Sequence, residues 1–122
     1  MAKVLIVEDD ADIRNAFAHG LTHAGYQMMI AGNAEEAAKQ LQADTPDVMV
    51  LDLLMPGISG VEFLKQEKVS QRFPDMKILV FTNIDSPRVM DEAKSLGITE
   101  YIVKVTTTPS ELAAKIQTLL KK

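Results

Sequence analysis

Short apolar runs alternate along the chain with longer segments in which apolar residues recur every three or four positions. Runs of this length, bounded by polar or turn-forming residues, predict β-strands, and the periodic segments between them predict α-helices. Because strand and helix alternate with short connections, the chain predicts an α/β fold, a parallel sheet with helices on both faces. The predicted strands are Val4–Val7, Gln27–Ala31, Val48–Asp52, Lys77–Thr82 and Glu100–Val105.

The predicted helices have start and stop signals in the sequence. Asn33 is a predicted N-cap, and Thr108 combines a predicted capping box with a proline at the first helical position. A third helix is expected to start at residue 59 or 60 and to run to Pro74, although its later half is polar. A fourth and a fifth helix are expected after residues 86 and 108.

The apolar character of the strands predicts their order. The first, third and fourth strands are the most continuously apolar, which favours the centre of the sheet, whereas the second and fifth carry more polar residues and suit its edges. The order 2-1-3-4-5 satisfies both conditions and gives a doubly wound, flavodoxin-like sheet. In that fold the ligand crevice lies at the carboxyl ends of the first and third strands.

Composition narrows the class of protein. The length of 122 residues predicts a single domain, residues 1–122, and the absence of cysteine excludes disulfides and thiolate metal sites. A net charge of −4 with no basic face argues against direct binding to nucleic acid. No apolar run approaches a membrane span, and no signal-peptide pattern opens the chain, so a cytoplasmic location without membrane contact is expected.

Polar residues follow four of the predicted strands, where parallel strands bring them to one edge of the sheet. Clustered carboxylates favour a hard divalent cation, and Mg²⁺ accepts an open site with one or two carboxylates. A lysine and a threonine opposite the acids can bind phosphoryl oxygens, and a carboxylate among them can act as a nucleophile and form an aspartyl phosphate. The residues at this edge are Glu8, Asp9, Asp10, Asp52, Thr82, Asn83 and Lys104.

Each of these residues also has a purely structural interpretation. Asp10 or Asp12 could cap the first helix, and Thr82 and Lys104 taken singly are ordinary strand-end residues. Their common position at the carboxyl ends of strands favours a site. His19 and His23, four residues apart on a helix, lack an evident third ligand and are expected on a solvated face.

Four motifs occur in an order and spacing that resemble the receiver domain of two-component response regulators, the family that includes the chemotaxis response regulator. The resemblance covers essentially the whole chain. The motifs are Leu5-Ile6-Val7-Glu8-Asp9-Asp10, Asp52-Leu53-Leu54-Met55-Pro56-Gly57 with Gly60, Val80-Phe81-Thr82, and Tyr101-Ile102-Val103-Lys104.

The resemblance implies a role for each matched residue. It implies that Asp52 is the phosphoacceptor, that Lys104 pairs with the phosphoryl group, and that Thr82 and Tyr101 form the switch. The implied ligands of Mg²⁺, for which Mn²⁺ could substitute, are Glu8, Asp9, Asp52 and the backbone carbonyl of Leu54.

The resemblance also implies partners. The phosphoryl donor would be a phosphohistidine on a sensor histidine kinase or a histidine phosphotransfer protein. The surface that changes would comprise the fourth predicted helix, the fifth strand and the fifth predicted helix, and it would bind a downstream protein. Such a domain catalyses only its own phosphorylation and dephosphorylation, so it is not an enzyme with an external substrate.

Three departures from the family pattern bear on the chemistry. Val105 stands where the family usually has a proline after a cis bond, and a trans bond is expected here because a cis bond before a non-proline residue costs about 3–4 kcal/mol. Asn83 replaces a very small residue and is expected to narrow access to the phosphoryl group. Leu54 and Ile84 are apolar and cannot orient a hydrolytic water, which predicts a long-lived phosphoryl state.

Other function classes remain open at this stage. The chain could be a pseudo-receiver that binds a partner without phosphorylation, or a receiver fragment of a larger transcriptional regulator. A phosphatase acting through an aspartyl intermediate usually has a general acid two residues after the nucleophile, where this chain has Leu54. A flavin-binding protein would need a phosphate loop after the first strand, where this chain has acids.

Overall fold

The computed structural model describes residues 2–121, and its centre is a parallel sheet of five strands in the order β2-β1-β3-β4-β5. All four neighbouring pairs are parallel, which confirms the predicted order. The strands are β1 (Lys3–Val7), β2 (Gln27–Ala31), β3 (Val48–Leu51), β4 (Lys77–Thr82) and β5 (Glu100–Val103).

Within residues 2–121, six α-helices and one short 3₁₀ turn accompany the strands. The predicted N-caps are confirmed: the Asn33 side chain accepts from the Glu36 N–H, and Thr108 and Glu111 form a reciprocal capping box. The predicted fourth and fifth helices correspond to α5 and α6. The helices are α1 (Ala11–His23), α2 (Ala34–Ala43), α3 (Gly60–Gln66), α4 (Val69–Arg72), α5 (Pro87–Ser95) and α6 (Pro109–Leu120), and the 3₁₀ turn is Lys104–Thr106.

The third predicted helix is two helices, so its prediction as one continuous element was wrong. Helix α3 ends at Gln66, and Lys68 has a φ of 48°, in the left-handed region that a continuous helix does not allow. After this break α4 buries Val69 completely. The polar segment before Lys68 therefore forms a turn that lets an isolated apolar residue reach the core.

The fifth strand is shorter than predicted. Its last paired residue is Val103, opposite Thr82 of β4, and the chain then enters the 3₁₀ turn. Lys104 consequently lies in this turn rather than in the strand. All peptide bonds among the described residues are trans, so the expected trans bond before Val105 is confirmed.

Two apolar layers, one on each face of the sheet, form the core. Successive residues of a strand point to opposite faces, so Leu5 and Val7 pack on the side of α2 and α3, whereas Val4 and Ile6 pack on the side of α1 and α6. This double burial explains the continuous apolar runs of the central strands. None of the helices within residues 2–121 has the length and apolar character needed to cross a bilayer.

Candidate functional site

Glu8 and Asp52, two acidic residues of the site, follow β1 and β3 directly and continue the hydrogen bonding of the sheet. Val7 and Leu51 are paired at the ends of β1 and β3. Beyond that pair, the Asp52 N–H donates to the Val7 carbonyl at 3.1 Å, and the Glu8 N–H donates to the Ala31 carbonyl at 3.0 Å. The backbone of both acids is therefore fixed by the sheet, and their side chains project from its carboxyl edge.

Helix α3 begins directly against the backbone of Asp52. The Gly60 N–H donates to the Leu53 carbonyl at 2.9 Å. A Cβ atom on Gly60 would lie 2.6 Å from the Asp52 carbonyl oxygen and 2.8 Å from the Leu53 Cα, closer than real Cβ contacts. This close approach explains the glycine in the motif, because any side chain would push α3 away from the acid.

The side chain of Lys104 bridges the two acids. Its Nζ donates to Asp52 Oδ2 at 2.8 Å and also to Glu8 Oε1. The other oxygen of each acid accepts a backbone N–H, from Leu54 to Asp52 Oδ1 at 3.2 Å and from Asp10 to Glu8 Oε2 at 3.0 Å. The three side chains are buried, with exposed fractions of 3% for Glu8, 5% for Asp52 and 9% for Lys104.

Burial and pairing set the protonation preferences of this cluster. Burial raises the pKa of Glu8, although the hydrogen bond from Lys104 opposes that rise. Burial also disfavours the charged form of Lys104, but its hydrogen bonds to Asp52 and Glu8 outweigh that effect and raise its pKa. The lysine therefore stays protonated and supplies positive charge to the centre of the site.

The acids also form a donor set for a metal ion. One carboxylate oxygen each from Glu8, Asp9 and Asp52 lies within 4.8 Å of the other two, and Asp9 is exposed at the mouth. Hard divalent cations prefer such oxygen donors, so this arrangement fits Mg²⁺. The set opens into a cleft of about 540 Å³ whose walls include Leu54, Thr82 and Asn83.

The two predicted switch residues, Thr82 and Tyr101, are joined through Ile84. Thr82 is fully buried, and its Oγ1 accepts from the Ile84 N–H at 3.4 Å. The half-buried Tyr101 donates its hydroxyl to the Ile84 carbonyl at 2.7 Å. Thr82 thus belongs to the wall of the cleft, whereas Tyr101 contacts the loop behind it.

Two contacts of the site were not predicted from sequence. The Arg14 guanidinium donates to the Glu8 carbonyl at 3.0 Å, which ties α1 to the acidic loop. The Asn83 side-chain oxygen accepts from the Val105 N–H at 2.7 Å. The sequence marks Arg14 only by its position one turn into the predicted first helix. For Asn83 the sequence predicts only that its side chain narrows the cleft.

Two side-chain predictions outside the acidic cluster have clear outcomes. Asp10 is the N-cap of α1, since its side chain accepts from the Ile13 N–H at 3.0 Å, and Asp12 lies within the first helical turn. His19 and His23 are exposed on α1, as expected for a solvated face. Neither histidine belongs to the group of potential metal ligands formed by the acids.

A doubly wound sheet with a buried aspartate, an acid pair and a lysine at its carboxyl edge is the arrangement that the resemblance to receiver domains implies. Comparison with known families gives the same result. A model of the response regulator receiver domain matches residues 4–117, and the chain belongs to this family.

Three similar proteins illustrate the range of relatives. The phosphate regulon transcriptional regulatory protein PhoB of Pseudomonas aeruginosa is 31% identical over 119 residues, which cover 98% of this chain and 52% of that protein, so the chain spans about half its length. The structure of the Vibrio cholerae chemotaxis protein CheY4 is 35% identical, with a TM-score of 0.87, and the match covers 96% of this chain and 97% of that one. The response regulator TrrA of Thermotoga maritima, solved in complex with Mg²⁺ and BeF, is 32% identical with a TM-score of 0.83, over 98% of this chain and 99% of that one.

Replacement of Lys104 by methionine is expected to destabilise the protein by about 3 kcal/mol at neutral pH without divalent cations, because it leaves two buried carboxylates unpaired. Urea denaturation in the presence of a chelator measures this loss. The matched control is Lys65→Met, since Lys65 also pairs with an acid, Glu92, but both side chains are more than 40% exposed. The control should leave the urea midpoint nearly unchanged. Equal midpoints for the two variants would contradict the central role of Lys104.

Proposed function

We propose that this chain is a phosphorylation-dependent signalling switch that accepts a phosphoryl group on Asp52 from a phosphohistidine. The observation that carries the proposal is the placement of Asp52: its carboxylate is buried beside the Lys104 ammonium, yet it lines an open cleft. A nucleophile needs access to the donor and a nearby cation that stabilises the transferred charge. Both conditions are met at this residue.

The transfer exchanges one bond for another at phosphorus. One oxygen of the Asp52 carboxylate forms a bond to phosphorus while the phosphorus–nitrogen bond to the donor imidazole breaks. The electron pair of that bond stays on the imidazole nitrogen, and the proton carried by the other ring nitrogen of the phosphohistidine makes the leaving group a neutral histidine. Lys104, 2.8 Å from Asp52 Oδ2, remains beside the phosphoryl oxygens and offsets their negative charge.

We assign the metal site to Glu8, Asp9 and Asp52, with the Leu54 backbone carbonyl as a further ligand, and Mg²⁺ as the ion, with Mn²⁺ as a substitute. Support comes from the three clustered carboxylate oxygens and from TrrA, which was solved in complex with Mg²⁺. Bound there, the ion supplies positive charge that neutralises the phosphoryl oxygens during transfer.

The switch in this proposal uses the contacts of Ile84. A phosphoryl group adds about −1.5 to −2 charges and strong acceptor oxygens, which draw the Thr82 hydroxyl toward Asp52. That movement releases the Ile84 N–H, 3.4 Å from Thr82 Oγ1, and loosens the loop to which the Tyr101 hydroxyl is bound. The surface formed by α5, β5 and α6 then changes and binds a downstream protein.

The partners and cellular context belong to the same proposal. The donor is a sensor histidine kinase or a histidine phosphotransfer protein in the cytoplasm, and residues 1–122 form one receiver domain without turnover of an external substrate. Family membership supports these assignments. A second candidate, the receiver part of a larger transcriptional regulator, is favoured by PhoB, of which the chain covers 52%.

Incubation with a small phosphodonor and Mg²⁺ is expected to add one phosphoryl group to the protein, detected as an increase in intact mass. The Asp52→Asn variant should gain none, because an amide is a poor nucleophile, and a chelator should suppress the gain in the unaltered protein. Phosphorylation of the variant to the same extent would exclude Asp52 as the acceptor. No gain in either protein would favour a pseudo-receiver.

The phosphorylated protein is expected to lose its phosphoryl group slowly. Leu54 is 71% exposed beside Asp52, and an apolar side chain there cannot orient an attacking water. A Leu54→Asn variant supplies hydrogen-bonding groups and should shorten the half-life by up to about tenfold, the equivalent of one hydrogen bond. Loss of phosphate followed by intact mass measures both rates. Comparable half-lives would contradict the prediction.

Phosphorylation is expected to shift backbone amide resonances of α5, β5 and α6 more than those of α1 and α2. The control is Thr82→Ala, which removes the hydroxyl that links the phosphoryl group to the loop. In this variant Asp52 should still accept a phosphoryl group, although more slowly, and the resonance shifts in α5 and β5 should be smaller. Uniform small shifts in the phosphorylated protein would exclude this face as the switch surface.

A further inference from the structure

Asn83 lies between two functional elements at the mouth of the cleft. It directly follows Thr82, the last residue of β4, and it lines the same cleft as Asp52 and Lys104. Its side chain reaches the neighbouring turn, where Oδ1 accepts from the Val105 N–H at 2.7 Å. The bond joins residues 22 positions apart, so it ties the end of β4 to the 3₁₀ turn that follows β5.

The 3₁₀ turn Lys104–Thr106 makes few hydrogen bonds of its own that fix its position. It begins after Val103, which provides no side-chain cap for the first N–H groups of the 3₁₀ turn. The hydroxyls of Thr106 and Thr107 both donate to the Val103 carbonyl, at 3.2 and 3.0 Å, and these local bonds do not connect the backbone of the turn to β4. Asn83 thus supplies, from β4, the cap that the turn does not provide.

We propose that Asn83 is a positioning residue for Lys104. Its bond to Val105 fixes the peptide that follows Lys104, and this peptide determines where the four-carbon side chain of the lysine begins. The ammonium must then lie at 2.8 Å from Asp52 Oδ2 to stabilise the transferred phosphoryl group. The inference rests on the proposed function, because it assigns Asn83 a role in the same reaction.

The alternative role of Asn83 predicts the opposite result. A side chain that only narrows the cleft would slow phosphorylation, so its removal would accelerate the reaction. A side chain that positions Lys104 supports the reaction, so its removal should slow it. The Asn83→Ala variant therefore distinguishes the two roles by the sign of its effect on the rate.

We expect Asn83→Ala to reduce the rate of phosphorylation by a small phosphodonor with Mg²⁺ about fivefold, the equivalent of one hydrogen bond. The effect should disappear in a Lys104→Ala background, since Asn83 acts through that lysine. The four rates, measured by intact mass, form a double-mutant cycle. An unchanged or faster rate in Asn83→Ala, or the same fivefold loss without Lys104, would overturn the inference.

Hydrogen exchange in the unphosphorylated protein tests the bond independently of the reaction. The Val105 amide should exchange about fivefold faster in Asn83→Ala, whereas Asn83→Asp, which keeps an acceptor oxygen, should preserve its protection. Unchanged exchange in Asn83→Ala would overturn the inference even if phosphorylation proceeds. If the protein with Asn83 intact shows protected Val105 yet gains no phosphoryl group, the proposed function fails and the assignment of Asn83 to that reaction falls with it.

Discussion

The ion pairs of Lys104 are the interaction on which the rest of the site depends. One ammonium group binds Asp52 and Glu8, and all three side chains are at least nine-tenths buried. Two carboxylates this close repel each other and lose hydration, so the edge of the sheet tolerates them only because a cation lies between them. The same arrangement supports the proposed chemistry, since a buried acid beside a fixed positive charge is suited to accept a phosphoryl group.

Backbone contacts hold the two acids at the edge of the sheet. Asp52 continues the hydrogen bonding of β3, and the start of α3 packs against its carbonyl through Gly60. Because both apolar layers are anchored on the central strands, a shift of either acid would disturb the core on both faces. A polar cluster on so rigid a support keeps its geometry, which is the condition for electrostatic stabilisation of a transferred group.

Much of the fold could be predicted from the sequence because local and global signals agree. The central strands are apolar on both faces, and Asn33 and Thr108 are N-caps in the sequence and in the structure. The strand order, and with it the meeting of Glu8 and Asp52 at one edge, followed from these patterns. The roles of the site residues in phosphoryl transfer remain predictions.

The features that sequence analysis missed are a local backbone conformation and a contact between distant residues. The left-handed Lys68 breaks a helix whose local pattern gave only a polar segment. Beyond the end of β5, the Asn83 side chain accepts from the Val105 N–H. Neither feature has a periodic signal, because each concerns a single residue whose conformation or partner only the folded chain defines.

Residues 82–84, at the end of β4, connect the cleft to the turn of Lys104 and to Tyr101. Three successive residues make three different contacts: Thr82 lines the cleft with the acids, Asn83 accepts from the turn of Lys104, and Ile84 accepts from the hydroxyl of Tyr101. A charge placed on Asp52 acts on the first of them, and the rigid strand behind limits how the others can respond. The lysine turn and the tyrosine loop are both bonded to the residues that directly follow Thr82. In the proposed switch, these bonds are the route by which a change of charge in the cleft would reach the distant face.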